Sequence, residues 1–97
     1  MIGVPTYSLP DDVVCYRILG PWTDSEIPAG LLKQHQLKAG SWGELTVVSG
    51  TIEFCWDEVI GVEPICLATR QRIVIPPTVP HHLQIIGDAV LELHFYK

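Results

Sequence analysis

Basic residues are scarce in this sequence, which has six lysines and arginines against eleven acidic residues and a formal net charge of −5. Proteins that bind the phosphates of a nucleic acid have clustered lysine and arginine residues, and no such cluster is present in this sequence. Apolar runs are short, about five residues at most, whereas a transmembrane helix needs roughly 20. No basic segment followed by an apolar stretch opens the chain, so we expect no secretion signal. Nucleic-acid binding and membrane spanning are therefore excluded.

Cysteines are few as well, and their number is odd: Cys15, Cys55 and Cys66. No two of them have the C-x-x-C spacing of a zinc or redox site. Each lies in an apolar stretch, which predicts buried free thiols that behave as small hydrophobic residues. Without a disulfide framework, a reducing cytoplasmic location is expected.

Helical periodicity is almost absent, apart from one short turn predicted at residues 24–26. Eight glycines and eight prolines divide the chain into short segments, a pattern typical of many short strands. Turns are predicted at Ser49-Gly50 and at Gly87-Asp88. The predicted strands lie near residues 13–18, 29–38, 44–49, 51–57, 64–69, 71–76, 81–86 and 89–96.

These short strands predict an all-β sandwich or small barrel, whose interior holds side chains or one small ligand. The length of 97 residues fits a single domain, residues 1–97. Residues 1–12 contain Pro5 and Pro10 and are expected to form a loosely packed N-terminal segment.

The segment from Ile75 to His82, with three prolines, resembles the second motif of the cupins. That motif delivers a histidine into a β-barrel, and the matching residue here is His81. A glycine is usual where Thr78 stands. The segment from Leu45 to Phe54 resembles the end of the first cupin motif, but the His-x-His that normally precedes it is missing. The resemblance implies a cupin-like double-stranded β-helix, that is, a jelly-roll barrel.

The run from Lys33 to Val47, together with Pro21-Trp22-Thr23, is similar to the small cupin domain of the tellurite-resistance protein B family. The resemblance covers roughly residues 13–97. In that family the cupin often precedes a methyltransferase domain that uses S-adenosylmethionine, and we expect no such domain within these residues. The resemblance also implies an association with tellurite or similar oxyanions.

Histidines are the strongest candidate metal ligands, because neutral imidazole binds zinc, iron and nickel and a catalytic site commonly takes three protein ligands. His81 shares one face of its strand with Leu83, and His35 matches a histidine of the family. His94 is the third candidate, although alternation groups it with the polar residues of its strand. Each of the three has an alternative interpretation, as a core or solvated histidine.

Trp42 lies in the segment that replaces His-x-His, where it could line a cavity and orient a ligand, or simply pack. The first hypothesis is a cupin that binds a divalent transition metal and a small molecule or oxyanion. The alternative is a metal-free ligand-binding or dimeric regulatory cupin without catalytic activity. A homodimer is expected because short strands leave sheet edges that a second copy can cover. Whether the domain is an enzyme stays open, since no nucleophile and base have a recognisable spacing.

Overall fold

Five β-strands and one short 3-10 helix form the fold in the computed structural model, which describes residues 6–58 and 61–97. The all-β class predicted from the sequence is confirmed. In chain order the elements are β1 (Cys15–Thr23), the 3-10 helix (Ala29–Leu32), β2 (Trp42–Trp56), β3 (Ile65–Ala68), β4 (Arg72–Ile75) and β5 (His81–Tyr96).

The two long strands β2 and β5 form the centre of the fold. They run antiparallel along their whole length, from Trp42 opposite Tyr96 to Trp56 opposite His81. The first half of β2 also pairs with β4, and its second half pairs with β3. The last part of β5 pairs with β1 on its other side. The two long strands therefore join the three short strands into a single sheet.

The predicted turns at Ser49-Gly50 and Gly87-Asp88 are wrong, because β2 and β5 run through them. The pairing of β2 with β5 shifts register on either side of Gly50, which has a φ of 86°. A Cβ atom on Gly50 would lie 2.0 Å from the carbonyl oxygen of Asp88. Glycine thus permits an irregular bend at which the two strands come into close contact. β2 bends at this point but does not end, as it would at a turn.

The strand predicted at residues 29–38 is also wrong. Residues Ala29–Leu32 form the 3-10 helix, and Pro28 precedes it with a φ of −55°. The fixed φ of proline suits a helix start, and the Leu31 N–H donates to the Pro28 carbonyl at 3.0 Å. Only His35 pairs in the sheet manner, through an isolated bridge to His81.

Alternate residues of β2 and β5 point inward and form the core, as period-two patterning requires. The buried side chains of these two strands include Leu45, Val47, Ile52, Phe54, Leu83, Leu91 and Leu93. Ahead of β1, the ring of Tyr7 packs edge-on against Trp56 with centroids 5.2 Å apart. Within the described chain, no helix is long and apolar enough to cross a membrane.

The prediction of three buried thiols holds only for Cys55. Cys15 lies on β1 and Cys66 on β3, and both are exposed free cysteines. Burial raises the pKa of the Cys55 thiol, and the carboxylates of Asp57 and Glu53 raise it further. Cys55 is therefore a protonated core residue at neutral pH.

Candidate functional site

A cavity of about 160 Å³ lies between the strands of the barrel. Among residues 6–58 and 61–97, its wall is apolar except for two histidines, His35 and His81. An apolar cavity of roughly this size is large enough for a benzene-sized guest. The apolar lining residues are Leu31, Leu37, Leu45, Phe54, Ile75, Leu83, Leu93 and Phe95.

His81 is the first residue of β5 and is only 2% exposed. Its Nδ1 atom lies 2.8 Å from the Val79 carbonyl oxygen. A carbonyl can only accept, so Nδ1 carries the proton and Nε2 keeps its lone pair. The ring also stacks on Phe54, with centroids 5.4 Å apart and planes 14° apart.

The environment of His81 favours the neutral imidazole. Burial lowers its pKa to about 4, the hydrogen bond to Val79 partly opposes this, and the neighbouring His35 adds to the lowering. Desolvation penalises a charged imidazolium. At neutral pH His81 is therefore an uncharged hydrogen-bond acceptor.

His35 is joined to His81 through the backbone and through the rings. The His35 N–H donates to the His81 carbonyl at 3.0 Å, and the His81 N–H donates to the His35 carbonyl at 2.9 Å. The ring centroids are 4.2 Å apart in an edge-to-face arrangement. The Nδ1 atom of His35 donates to the Lys33 carbonyl at 2.8 Å. Both imidazoles thus bind a carbonyl two residues earlier in the chain through Nδ1.

This arrangement leaves Nε2 as the available nitrogen of both rings. Across residues 6–58 and 61–97, no hydrogen bond to either Nε2 atom is present. Both rings line the cavity. A guest in the cavity therefore meets an apolar wall bordered by two imidazole rings, each without a hydrogen bond at Nε2 among the described residues.

His94 does not join this pair. It alternates along β5 with Leu93 and Phe95, which line the cavity, and its Nε2 atom contacts the Glu92 carboxylate. The structure thus brings together two of the three predicted metal ligands. Within the part of the chain that the structure describes, no group of three or more His, Cys, Asp or Glu side chains is placed to hold a metal ion.

Trp42, the predicted ligand-binding aromatic residue, does not line the cavity either. Its neighbour Gly43 has the inward position, against Leu37 and Leu93. Consecutive residues of a strand point to opposite faces. Trp42 therefore lies on the outer face of β2, half-buried and opposite Tyr96.

Sequence reasoning missed the aromatic wall formed by Phe54 and Phe95. Phe54 shares a buried face with Ile52, two residues earlier, but it is nine residues from Leu45. Alternation counted from Leu45 would therefore have placed Phe54 on the outer face, and the register shift around Gly50 brings it inward. The Nδ1 atom of His82, on β5, lies 2.8 Å from a carboxylate oxygen of Asp57, which follows the end of β2. No sequence pattern indicated that pair, because the two residues are 25 positions apart in the chain.

The family described as the TehB-like domain matches residues 17–93. Two curated proteins of *Haemophilus influenzae* are also similar, both called probable S-adenosyl-L-methionine-dependent methyltransferase TehB. The protein of strain 10810 is 36% identical over 44 residues, and that of strain KW20 is 34% identical over 44 residues. Those residues are 45% of this chain and 15% of each relative, so the match spans a small part of the relatives' length.

Solved structures resemble the whole barrel. A protein of *Escherichia coli* K12 superposes with a TM-score of 0.82 at 22% identity, over 95% of this chain and 97% of that one. TehB from *Haemophilus influenzae* gives a TM-score of 0.80 at 26% identity, over 89% of this chain and 32% of that one. A cupin-2 domain protein of *Shewanella frigidimarina* gives 0.53 at 13% identity, over 96% and 76%. The predicted cupin-like fold is confirmed.

Proposed function

The chain belongs to the TehB-like domain family, and from that premise we propose that it is a binding domain for one small, mainly apolar molecule that carries a hydrogen-bond donor. The observation that supports this proposal is the pair His35 and His81 in an apolar wall, each with Nδ1 engaged and Nε2 available. Burial of the apolar body supplies the affinity. A donor directed at Nε2 supplies orientation and selectivity.

An oxyanion, the ligand class that the family resemblance suggested, suits this cavity poorly. No lysine or arginine of the described chain lines it, and both Nδ1–H groups already donate to carbonyls. The lowered pKa of His81 keeps that ring uncharged at neutral pH. Moving an anion into such a wall without a donor or a counter-charge is costly. The proposed ligand is therefore uncharged where it contacts the histidines.

We propose binding without a chemical step at this cavity. Apart from the two imidazoles, the lining residues that the structure describes include no carboxylate, thiol or hydroxyl group to act as a nucleophile or a proton donor. The methyltransferase in the relatives' name describes proteins of which the matched segment is 15%. That activity is not carried over to this barrel.

A divalent transition metal is the second candidate ligand, and the nearness of the His35 and His81 rings, with centroids 4.2 Å apart, favours it. Zinc, iron and nickel all accept imidazole nitrogen. The residues present do not fit a usual site with three protein ligands, because His94 is bonded to Glu92 outside the cavity. A metal would need exogenous ligands to complete its coordination.

Phenol and toluene are matched probes for the first candidate, because both are benzene-sized and only phenol carries a donor. Titration calorimetry with the full chain should show binding of both, with phenol tighter by about fivefold, the value of one neutral hydrogen bond. His35→Phe and His81→Phe keep a ring but remove the acceptor, so each should reduce the preference for phenol. His94→Phe is the control and should retain it.

Three results would overturn this proposal. One is absence of binding by both probes. Another is a preference for phenol that survives in both cavity variants while their melting temperatures show that they are folded. The third is about one equivalent of zinc, iron or nickel retained on purification, lost in His35→Phe and His81→Phe but kept in His94→Phe. That last result would establish the metal-binding alternative.

We also propose that a second copy of the chain pairs along β1. Within the described residues β1 pairs only with β5, and Tyr16 and Ile18 on it are 39% and 55% exposed. Antiparallel pairing of two β1 strands is self-complementary and covers a free sheet edge. Sedimentation should show a dimer that Ile18→Lys converts to a monomer. A monomeric native chain would contradict the pairing.

A further inference from the structure

A second recess, here called the basic groove, lies beside the cavity. It is an open space of about 320 Å³. Leu37 and Phe95 line both the cavity and the groove, so the two spaces adjoin at these side chains. The other lining residues of the basic groove are Tyr16, Arg17, Gln36, Lys38 and Ser41.

The charge of this groove is opposite to that of the chain as a whole. Arg17 and Lys38 line it, and the Lys97 ammonium lies 4.5 Å from the ring centroid of Tyr16. Half of the six basic residues thus gather around one recess of a chain with net charge −5. Within the described parts of the chain, no aspartate or glutamate lines the groove. Among the described residues neither Arg17 nor Lys38 forms an ion pair.

The polar floor of the groove is held in place by the fold. The Tyr16 hydroxyl is hydrogen-bonded to the Ser41 hydroxyl at 2.6 Å, and Ser41 is only 3% exposed. The Ser41 N–H donates to the Lys38 carbonyl at 3.1 Å, which closes the turn that carries the lysine. Two cations and two hydroxyls are thereby arranged around one open space. Arginine and hydroxyl groups are suitable donors for a carboxylate.

We infer that the basic groove holds the carboxylate of the same molecule whose apolar part occupies the cavity. The inference rests on the proposed function and specifies its ligand class as a small aromatic or branched aliphatic carboxylic acid. His35 and Leu37 line the cavity, while the intervening Gln36 and the following Lys38 line the groove. A ligand with its apolar part in the cavity and its carboxylate on a short linker that passes Leu37 would therefore contact the imidazoles at one end and the basic side chains at the other.

The probes are para-hydroxyphenylacetate and its amide, para-hydroxyphenylacetamide, which differ only in charge at the groove end. Calorimetry at pH 7 and low salt should show the acid binding about fivefold tighter than the amide, as expected for partly exposed charge pairs. The double variant Arg17→Gln/Lys38→Gln should abolish this preference, and so should about 0.5 M salt, because screening weakens exposed pairs. Amide binding should fall by less than acid binding, because the amide has no charge to pair with the two cations.

The matched control is Arg70→Gln, which also removes a positive charge but lies in the turn between β3 and β4, outside the groove lining. It should leave the preference for the acid intact. Equal affinity for acid and amide, or a preference that survives in the double variant, would overturn the inference and leave the proposed function standing. Failure of both probes and of phenol to bind would instead overturn the proposed function.

Discussion

His35 and His81 face each other across a two-residue antiparallel bridge, and each ring directs Nδ1 to a carbonyl two residues earlier in the chain. The bridge fixes the backbones, and the Nδ1 bonds fix the ring orientations. The imidazoles are therefore held before any ligand arrives, and a guest does not need to order them.

The first prediction concerns the tautomers of these rings. Nitrogen NMR of the full chain should show that the neutral rings of both His35 and His81 are the Nδ1–H tautomer. His94 is an internal control, because its Nε2 atom contacts the Glu92 carboxylate and should carry a proton. The Nε2–H tautomer for the neutral ring of His35 or His81 would contradict the acceptor pair.

The second prediction concerns stability in acid. The pKa of His81 falls from 6.5 to about 4 on folding, so the unfolded chain takes up a proton at this residue before the folded one does. Stability from the neutral ring is complete above pH 6.5 and is lost as the pH falls towards 4. The free energy of unfolding should decrease by about 3 kcal/mol over that range, since one pKa unit corresponds to about 1.4 kcal/mol.

Urea unfolding of the native chain and of His81→Phe across this pH range measures the effect. The variant lacks the titrating ring but keeps the other three histidines, so it should lose less stability in acid. Parallel pH profiles of the two proteins would show that His81 does not account for the acid sensitivity.

The third prediction tests the bend at Gly50. Alanine there would place its Cβ atom 2.0 Å from the Asp88 oxygen, at a φ that disfavours any side chain. Gly50→Ala should therefore destabilise the fold by about 3 kcal/mol. Gly87→Ala is the control, since nothing lies within 4 Å of its Cβ position, and it should change stability by less than about 0.5 kcal/mol. Similar urea midpoints for the two variants would contradict this interpretation of Gly50.

The fourth prediction concerns Thr78, which occupies the glycine position of the cupin motif. Its φ is 63°, a left-handed conformation that is unfavourable for a β-branched residue. The Thr78 N–H donates to the Leu37 carbonyl at 2.9 Å, and this contact holds the loop in that conformation. Thr78→Gly should stabilise the protein by about 1 kcal/mol, because the strain exceeds the extra entropy of glycine.

Thermal unfolding of Thr78→Gly and Thr78→Ala separates strain from loss of the hydroxyl group. Alanine retains a Cβ atom at positive φ, so its gain should be much smaller than that of glycine. A melting temperature of Thr78→Gly at or below the native value would refute the strain argument.

Strand content was predictable from sequence, but strand continuity was not. The β-branched runs around Val47 and Ile73 indicated strands correctly. Gly50 was interpreted as a turn because glycine permits positive φ in turns and in bulges alike. The difference lies in the contact with Asp88, which is 38 positions away in the chain and leaves no local pattern.

The candidate site was predictable only in part, because contacts between residues far apart in the chain again leave no local pattern. His81 and Leu83 share a face of β5, and period-two alternation located that face correctly. His35 lies outside regular strands, so alternation could not orient it, and only the bridge to His81 brings it to the cavity. Trp42 was considered for its position in the motif, yet one residue decides between the inner and outer faces of a strand.

The central pairing of the long strands β2 and β5 has a consequence for how the protein unfolds. Among the described residues, every other strand pairs with one of these two, so all five strands form a single sheet. The pairing of β2 with β5 therefore cannot open without loss of the support on which all three short strands depend. Native-state hydrogen exchange should accordingly find one cooperative unit, in which the slowest amide protons of all five strands exchange at a common rate set by global unfolding.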